Sequence, residues 1–126
     1  MPLRVELKPF ERIVIGDTVI INSGTRTCFL IDGETPILRE RDTVTAETAN
    51  TPAKRLYLCV QTMYLKSEVT RYRERYAGLI RELQVAIPNS RDLIQSVEEF
   101  VAGGSLYKAL KEIRKLMKRE QERSAA

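Results

Sequence analysis

Thr51-Pro52-Ala53-Lys54-Arg55-Leu56-Tyr57-Leu58-Cys59-Val60 is the stretch where the chain changes from one kind of structure to another. Threonine followed by proline reads as a helix N-cap and the first helical position. The hydroxyl serves an orphan amide, and proline has no amide to leave unserved. The apolar run that follows, continuing to Met63-Tyr64-Leu65, suits a strand as well as a helix by periodicity alone. The proline cap decides for a helix, apolar on most faces and therefore central.

Beyond this stretch the spacing predicts three more helices. Val69, Tyr72, Tyr76, Leu79, Ile80, Leu83 and Ile87 fall on one face of a second, which Pro88 ends. Asn89-Ser90 caps a third, carrying Leu93, Ile94, Val97, Phe100 and Val101, and Gly103-Gly104 stops it. Ser105 caps a fourth, with Leu106, Leu110, Ile113, Leu116 and Met117 on one face; residues 122–126 are expected to fray.

Before the stretch the period is two. Leu3, Val5 and Leu7 alternate with Arg4, Glu6 and Lys8, a half-buried strand that Pro9 ends. Arg12-Ile13-Val14-Ile15 and Thr18-Val19-Ile20-Ile21 are two more, separated by Gly16-Asp17. Asn22-Ser23-Gly24 is a turn, with Gly24 free to take positive φ. Thr25 to Ile31 is a fourth strand, and Asp32-Gly33 signals a tight hairpin into a fifth, Thr35 to Glu40, with Pro36 at its start. The expected fold is α+β: a five-stranded antiparallel meander or small barrel over 1–50, then a basic bundle of three to four helices over 51–126. The polar, threonine-rich stretch from Arg39 to Thr51 reads as the linker.

The 126 residues include eight aromatics and no tryptophan, so the core must be mainly aliphatic. Both helical stripes, Val69–Ile87 and Leu106–Met117, look more apolar than so small a chain easily hides, so a homo-oligomer, most simply a dimer, is expected. Charge is unevenly placed. Residues 1–50 hold six basic and eight acidic groups, whereas 51–126 hold fifteen and nine. A basic half favours anionic partners such as nucleic acid; a solvated helical surface accounts for it equally simply. Cys28 and Cys59 each sit in apolar runs and read as buried thiols. Arg4, Glu6 and Lys8 interrupt any apolar leader and no stretch is long enough to span a membrane, so a cytoplasmic location is expected.

The chain has no histidine. The commonest general base is absent, and with it Ser-His and Cys-His nucleophilic pairs. Two cysteines without histidine do not make a standard zinc site, and no phosphate-cradling glycine motif occurs. No cofactor and no enzymatic activity are expected; binding is the task. One candidate RNA surface is the sheet edge bearing Arg4, Lys8, Arg12, Arg39 and Arg41. The competing reading pairs these cations with Glu6, Glu11, Glu40 and Asp42. A second is the basic face of the last helix, with Lys108, Lys111, Arg114, Lys115, Lys118 and Arg119. Tyr57, Tyr64, Tyr72 and Tyr76 have the chemistry to stack bases, but their helical spacing assigns them to packing.

Met1-Pro2-Leu3-Arg4-Val5-Glu6-Leu7-Lys8-Pro9, then Glu11-Arg12-Ile13-Val14-Ile15-Gly16-Asp17 with Val19-Ile20-Ile21-Asn22, and Thr51-Pro52-Ala53-Lys54-Arg55-Leu56-Tyr57 resemble the FlbT family of flagellar regulators. The resemblance covers nearly the whole chain and implies action in α-proteobacterial flagellum biogenesis. It implies association with the 5′ leader of flagellin messenger RNA and promotion of its decay, with a positive effect on flagellin in some members. A second small flagellar protein, FlaF, works against or alongside that family. The first forty residues also resemble the carbon storage regulator, an RNA-binding strand-swapped dimer, through Glu11, Ile15-Gly16-Asp17 and Arg39-Glu40. By that likeness Arg39 is the best single carry-over for RNA contact. Glu6-Leu7-Lys8 stands where that regulator is doubly basic, and only Lys8 keeps a base. The function expected is post-transcriptional control of flagellin by leader binding, through decay or blocked translation. The alternative is an adaptor or chaperone that binds flagellin or FlaF through its helical half.

Overall fold

A computed structural model describes residues 2–125 of the chain. They form two compact units that divide between Thr43 and Val44.

The first unit holds five strands: β1 (Leu3–Leu7), β2 (Arg12–Ile15), β3 (Thr18–Ile21), β4 (Thr27–Ile31) and β5 (Ile37–Arg39). All pairings are antiparallel, but the meander and the barrel are not found. β1 pairs with β4 in a two-stranded sheet, and β3-β2-β5 make a three-stranded one, both open. Asp32-Gly33 forms no hairpin, because the strands flanking it have other partners. β4 is paired along its length with β1, from Leu3↔Ile31 to Leu7↔Thr27, while β5 lies against β2, with Ile13↔Arg39 and Ile15↔Ile37. A strand takes the partner that offers the longer matched apolar face, and a local turn signal does not outweigh it. The one tight hairpin joins β2 to β3 through Gly16-Asp17. Gly16 there has φ +60, a region that favours glycine. Gly24 is not among the positive-φ residues. The Asn22 side chain organises that turn instead, its amide group donating to the carbonyls of Leu7, Lys8 and Thr25 at 2.9–3.1 Å. Alternation puts Val5 and Leu7 of β1 and Ile13 of β2 into a small core, flanked by Ile15, Ile31 and Ile37.

The second unit contains α1 (Pro52–Lys66), α2 (Arg73–Ala86), α3 (Arg91–Ala102) and α4 (Leu106–Ala125). Thr51 is the N-cap of α1, its side chain accepting from the Lys54 amide at 3.2 Å, and Pro52 follows it as expected. α1 ends at Ser67 in the left-handed conformation. Val69 to Tyr72 do not join α2; Thr70–Tyr72 form a separate 3-10 turn. Ser90 makes no side-chain cap to α3: its hydroxyl is buried and accepts from Arg119 at 3.3 Å. Gly104 takes φ +79 after α3, and the Ser105 amide returns to the Phe100 carbonyl at 2.8 Å. α4 continues through Ala125 rather than fraying from Glu122; Ala126 lies outside the described residues.

α4 packs along α1 and α3, and α2 packs along α1. Both apolar stripes are largely hidden within this unit: Leu79, Ile80, Leu83 and Ile87 on one, Leu110, Ile113 and Leu116 on the other. They therefore supply no argument for an oligomer. Val44 is tied to α1 by a two-way hydrogen bond with buried Gln61, at 2.8 and 3.1 Å. Cys59 is buried as expected; Cys28 is exposed, because its side chain lies on the face of β4 opposite Phe29 and Ile31. Among the described residues no helix is long and apolar enough to cross a membrane.

Candidate nucleic-acid interface

The five sheet-unit cations do not share one environment. Lys8 follows β1, Arg12 opens β2, Arg39 closes β5, and Arg41 sits in a 3-10 turn over Glu40–Asp42. The charges of Lys8, Arg39 and Arg41 act on the Glu11 carboxylate. The Lys8 backbone N–H donates to it at 2.7 Å and holds its pKa below the ordinary glutamate value. The three charges act the same way, against partial desolvation. Lys8 and Arg41 make no direct ion pair among the described residues. Arg39 donates to the Glu6 carbonyl at 3.0 Å, and Arg12 stands 3.5 Å from Glu40. Arg4 lies apart, on the β1–β4 sheet, where its Nε donates to the Cys28 sulfur at 3.1 Å and its pKa is raised by that contact. Three predicted residues thus act on one carboxylate, a fourth is tied to a neighbouring carboxylate, and the fifth belongs to another surface.

The loop that carries Lys8 is tightly fixed. The Glu11 amide donates to the Lys8 carbonyl at 3.1 Å, closing a four-residue turn with Pro9 and Phe10 at its centre. The Phe10 amide donates to the Asn22 carbonyl, and the Asn22 amide to the Glu11 carbonyl at 3.0 Å. Phe10 has φ +65 and is 74% exposed.

On the helical unit the basic face of α4 is partly spent on structure. Arg114 is half-buried and donates to the Tyr57 hydroxyl at 3.0 and 3.2 Å, with its guanidinium 5.7 Å from that ring. Arg119 bridges Ser90 and Asp92, the latter at 3.2 Å, and this contact chiefly lowers the Asp92 pKa. Lys115 pairs with Glu112 at 2.8 Å. Lys111 stands 5.2 Å from the Tyr107 ring centre. Lys108 and Lys118 remain exposed, with no ion pair among the described residues. Tyr57 is buried and Tyr64 meets Tyr107 at 6.0 Å, whereas Tyr72 lies in the 3-10 turn before α2, half-buried with Arg71 5.9 Å from its ring. The Tyr76 hydroxyl is buried without a hydrogen-bond partner, and burial, with Glu98 and Cys59 adding, pushes its pKa up.

The family model for flagellar protein FlbT matches residues 3–123. The chain belongs to the FlbT family. A probable flagellum biosynthesis repressor protein FlbT of Rhodopseudomonas palustris (strain TIE-1) is 62% identical over 122 residues, covering 97% of each chain. One from Bradyrhizobium diazoefficiens is 48% identical over 96% of this chain and 84% of its own. The flagellum biosynthesis repressor protein FlbT of Caulobacter vibrioides (strain ATCC 19089 / CIP 103742 / CB 15) is 32% identical over 98% and 89%. No solved structure matches, and the family model and curated relatives that match are those of FlbT, so the resemblance to the carbon storage regulator is not shown. The FlbT family is one of regulators of flagellum biosynthesis, not of enzymes.

In this FlbT family member the sequence reading passed over three residues. Arg26 was not considered, yet it pairs with Glu6 at 2.6 Å and removes that carboxylate from the cation cluster. Asn22 was read only as a turn residue, although its side chain anchors the Lys8 loop. Phe10 was not singled out; the signal was Pro9, which fits the second position of a turn and leaves Phe10 in the third.

Proposed function

We propose that this FlbT family member restrains flagellum biosynthesis in the cytoplasm by binding the 5′ leader of flagellin messenger RNA, exposing it to decay or closing it to ribosomes. The observation that carries this reading is that Arg39 reaches back to the Glu6 carbonyl at 3.0 Å, two residues before Lys8, whose own amide is bonded to Glu11 at 2.7 Å, so that basic residues from β1, β5 and the turn after β5 act on the same carboxylate. Glu40 is engaged by Arg12 at 3.5 Å and Glu6 by Arg26 at 2.6 Å, while Lys8 and Arg41 make no ion pair among the described residues. Arginine forks suit phosphates and guanine edges. Lys108 and Lys118 extend the basic surface available on the helical unit. Relatives named as repressors support the direction of the effect.

The test is a titration of purified protein with flagellin leader RNA across salt concentrations, with no other protein present. Affinity should fall steeply with salt, and Lys8→Ala with Arg39→Ala should flatten the slope by about one unit per lost phosphate contact. Binding that is absent at low salt, or indifferent to the double substitution, rejects the reading.

A second reading has its own support. All four residues of β3, Thr18 to Ile21, are exposed, and Val19, Ile20 and Ile21 form an uncharged apolar edge. Such an edge suits an adaptor that docks a protein, flagellin or FlaF, with only weak dependence on salt. It moves the docking surface from the helical half, whose stripes are buried, to the strands.

A further inference from the structure

The turn Lys8-Pro9-Phe10-Glu11 places a phenylalanine where the backbone favours glycine. Proline at the second position and positive φ at the third is the type II pattern, and φ > 0 with a Cβ crowds the neighbouring carbonyl. Burial does not offset the strain, since the ring is 74% exposed. The turn is not loose either. Glu11 closes it from both its amide and its carboxylate, and Asn22 holds it through its backbone and through its buried side chain. A rigid, strained, solvent-facing aromatic points to a function for the ring. Lys8 lies two residues before it and Arg12 two residues after, the charges of Arg39 and Arg41 act on the adjoining Glu11, and the Phe10 amide is bonded to Asn22 beside exposed Ile21.

We infer that Phe10 is a stacking platform for an unpaired nucleobase, with the flanking phosphates held by Lys8, Arg39 and Arg41. This rests on the RNA-binding reading above and specifies its ligand as single-stranded. An aromatic ring accepts the face of any unstacked base, while bases inside a duplex have no face to give. Lys8, free of any ion pair among the described residues and in the same four-residue turn as the ring, supplies a phosphate partner that an apolar protein surface would not use. Pre-organisation lowers the ordering cost on binding, which gives the strained turn its use.

The experiment measures wild type, Phe10→Gly, Phe10→Tyr and the Lys8→Ala/Arg39→Ala pair. Each is titrated with flagellin leader RNA, single-stranded and annealed to its complement, alongside thermal unfolding. Phe10→Gly should raise the melting temperature, because glycine accepts the backbone, and should weaken single-strand binding roughly tenfold or more with an unchanged salt slope. Phe10→Tyr should bind like wild type, and annealing the RNA should remove the advantage of the ring. Undiminished binding by Phe10→Gly, or equal loss on single strand and duplex, overturns the stacking role while leaving RNA binding standing. Failure of wild type to bind the RNA at low salt overturns both. Intact RNA binding with lost capture of flagellin or FlaF in Phe10→Gly assigns the ring to a protein partner instead.

Discussion

The two units treat their apolar residues in opposite ways. In the helical unit the stripes of α1 to α4 close on one another, and Val85 and Tyr107 are the large apolar side chains left exposed among the described residues. In the sheet unit Leu3, Phe10, Val19, Ile20, Ile21, Phe29 and Leu30 are all exposed, while the buried apolar residues are Val5, Leu7, Ile13 and Leu38. The cause is geometric. A helix satisfies its own backbone and needs only one covered stripe, whereas a strand needs a partner on each edge and cover on each face. Sheets of two and three short strands provide neither. The unit with the poorer core is also the one that displays the cation cluster and the strained aromatic, so its open surfaces are where binding partners are to be sought.

The strongest way to break this contrast is to truncate one side chain in each unit. Leu110→Ala in α4 should cost about 2–5 kcal/mol in urea denaturation, because the site is fully buried. Ile21→Ala in β3 should stay within about 0.5 kcal/mol. Equal costs would show that β3 is covered in solution. The next effect is Gln61→Leu. It strips the Val44 amide and carbonyl of their buried partners, with an expected loss of about 1–3 kcal/mol in the same assay. Thr51→Ala should then cost about 1 kcal/mol, and Thr51→Ser almost nothing, since the cap needs the hydroxyl.

The smallest effect sharpens the sheet side. Glu11 has a folded pKa below its ordinary value of 4.5, so its stabilising contribution is complete above that pH and fades as the pH falls through the folded value. Glu11→Gln keeps an acceptor for the Lys8 amide but removes the charge. The variant should flatten the acid limb of stability against pH in thermal unfolding, and should bind leader RNA more tightly than wild type. Weaker RNA binding by Glu11→Gln would show that the carboxylate positions the cluster rather than screens it.

The helical half was legible because its signals are local. Thr51-Pro52, Pro88 and Gly103-Gly104 marked the boundaries, and i, i+3, i+4 spacing identified the residues that pack. The strands were legible one at a time, but their partners were not. Nothing local in Thr27–Ile31 says that it joins Leu3–Leu7 rather than turning back at Asp32-Gly33; that choice is made by partners distant in the chain, from Leu7↔Thr27 to Leu3↔Ile31. The same limit governed the site. Charge alone proposes Lys8, Arg39 and Arg41 as candidates, and it does not tell that Arg114 and Arg119 serve Tyr57 and Asp92. Phe10 carries no periodicity; Pro9 is the one sequence sign of its turn, and the positive φ is seen only in the structure.

Finally, the two thiols lie one in each unit, with opposite accessibility: Cys28 open on β4 and Cys59 enclosed in α1. An alkylating reagent should mark the first at once and reach the second only when the bundle opens. Mass spectrometry of that second addition against time would clock the opening of the helical unit in the native chain, with no engineered label.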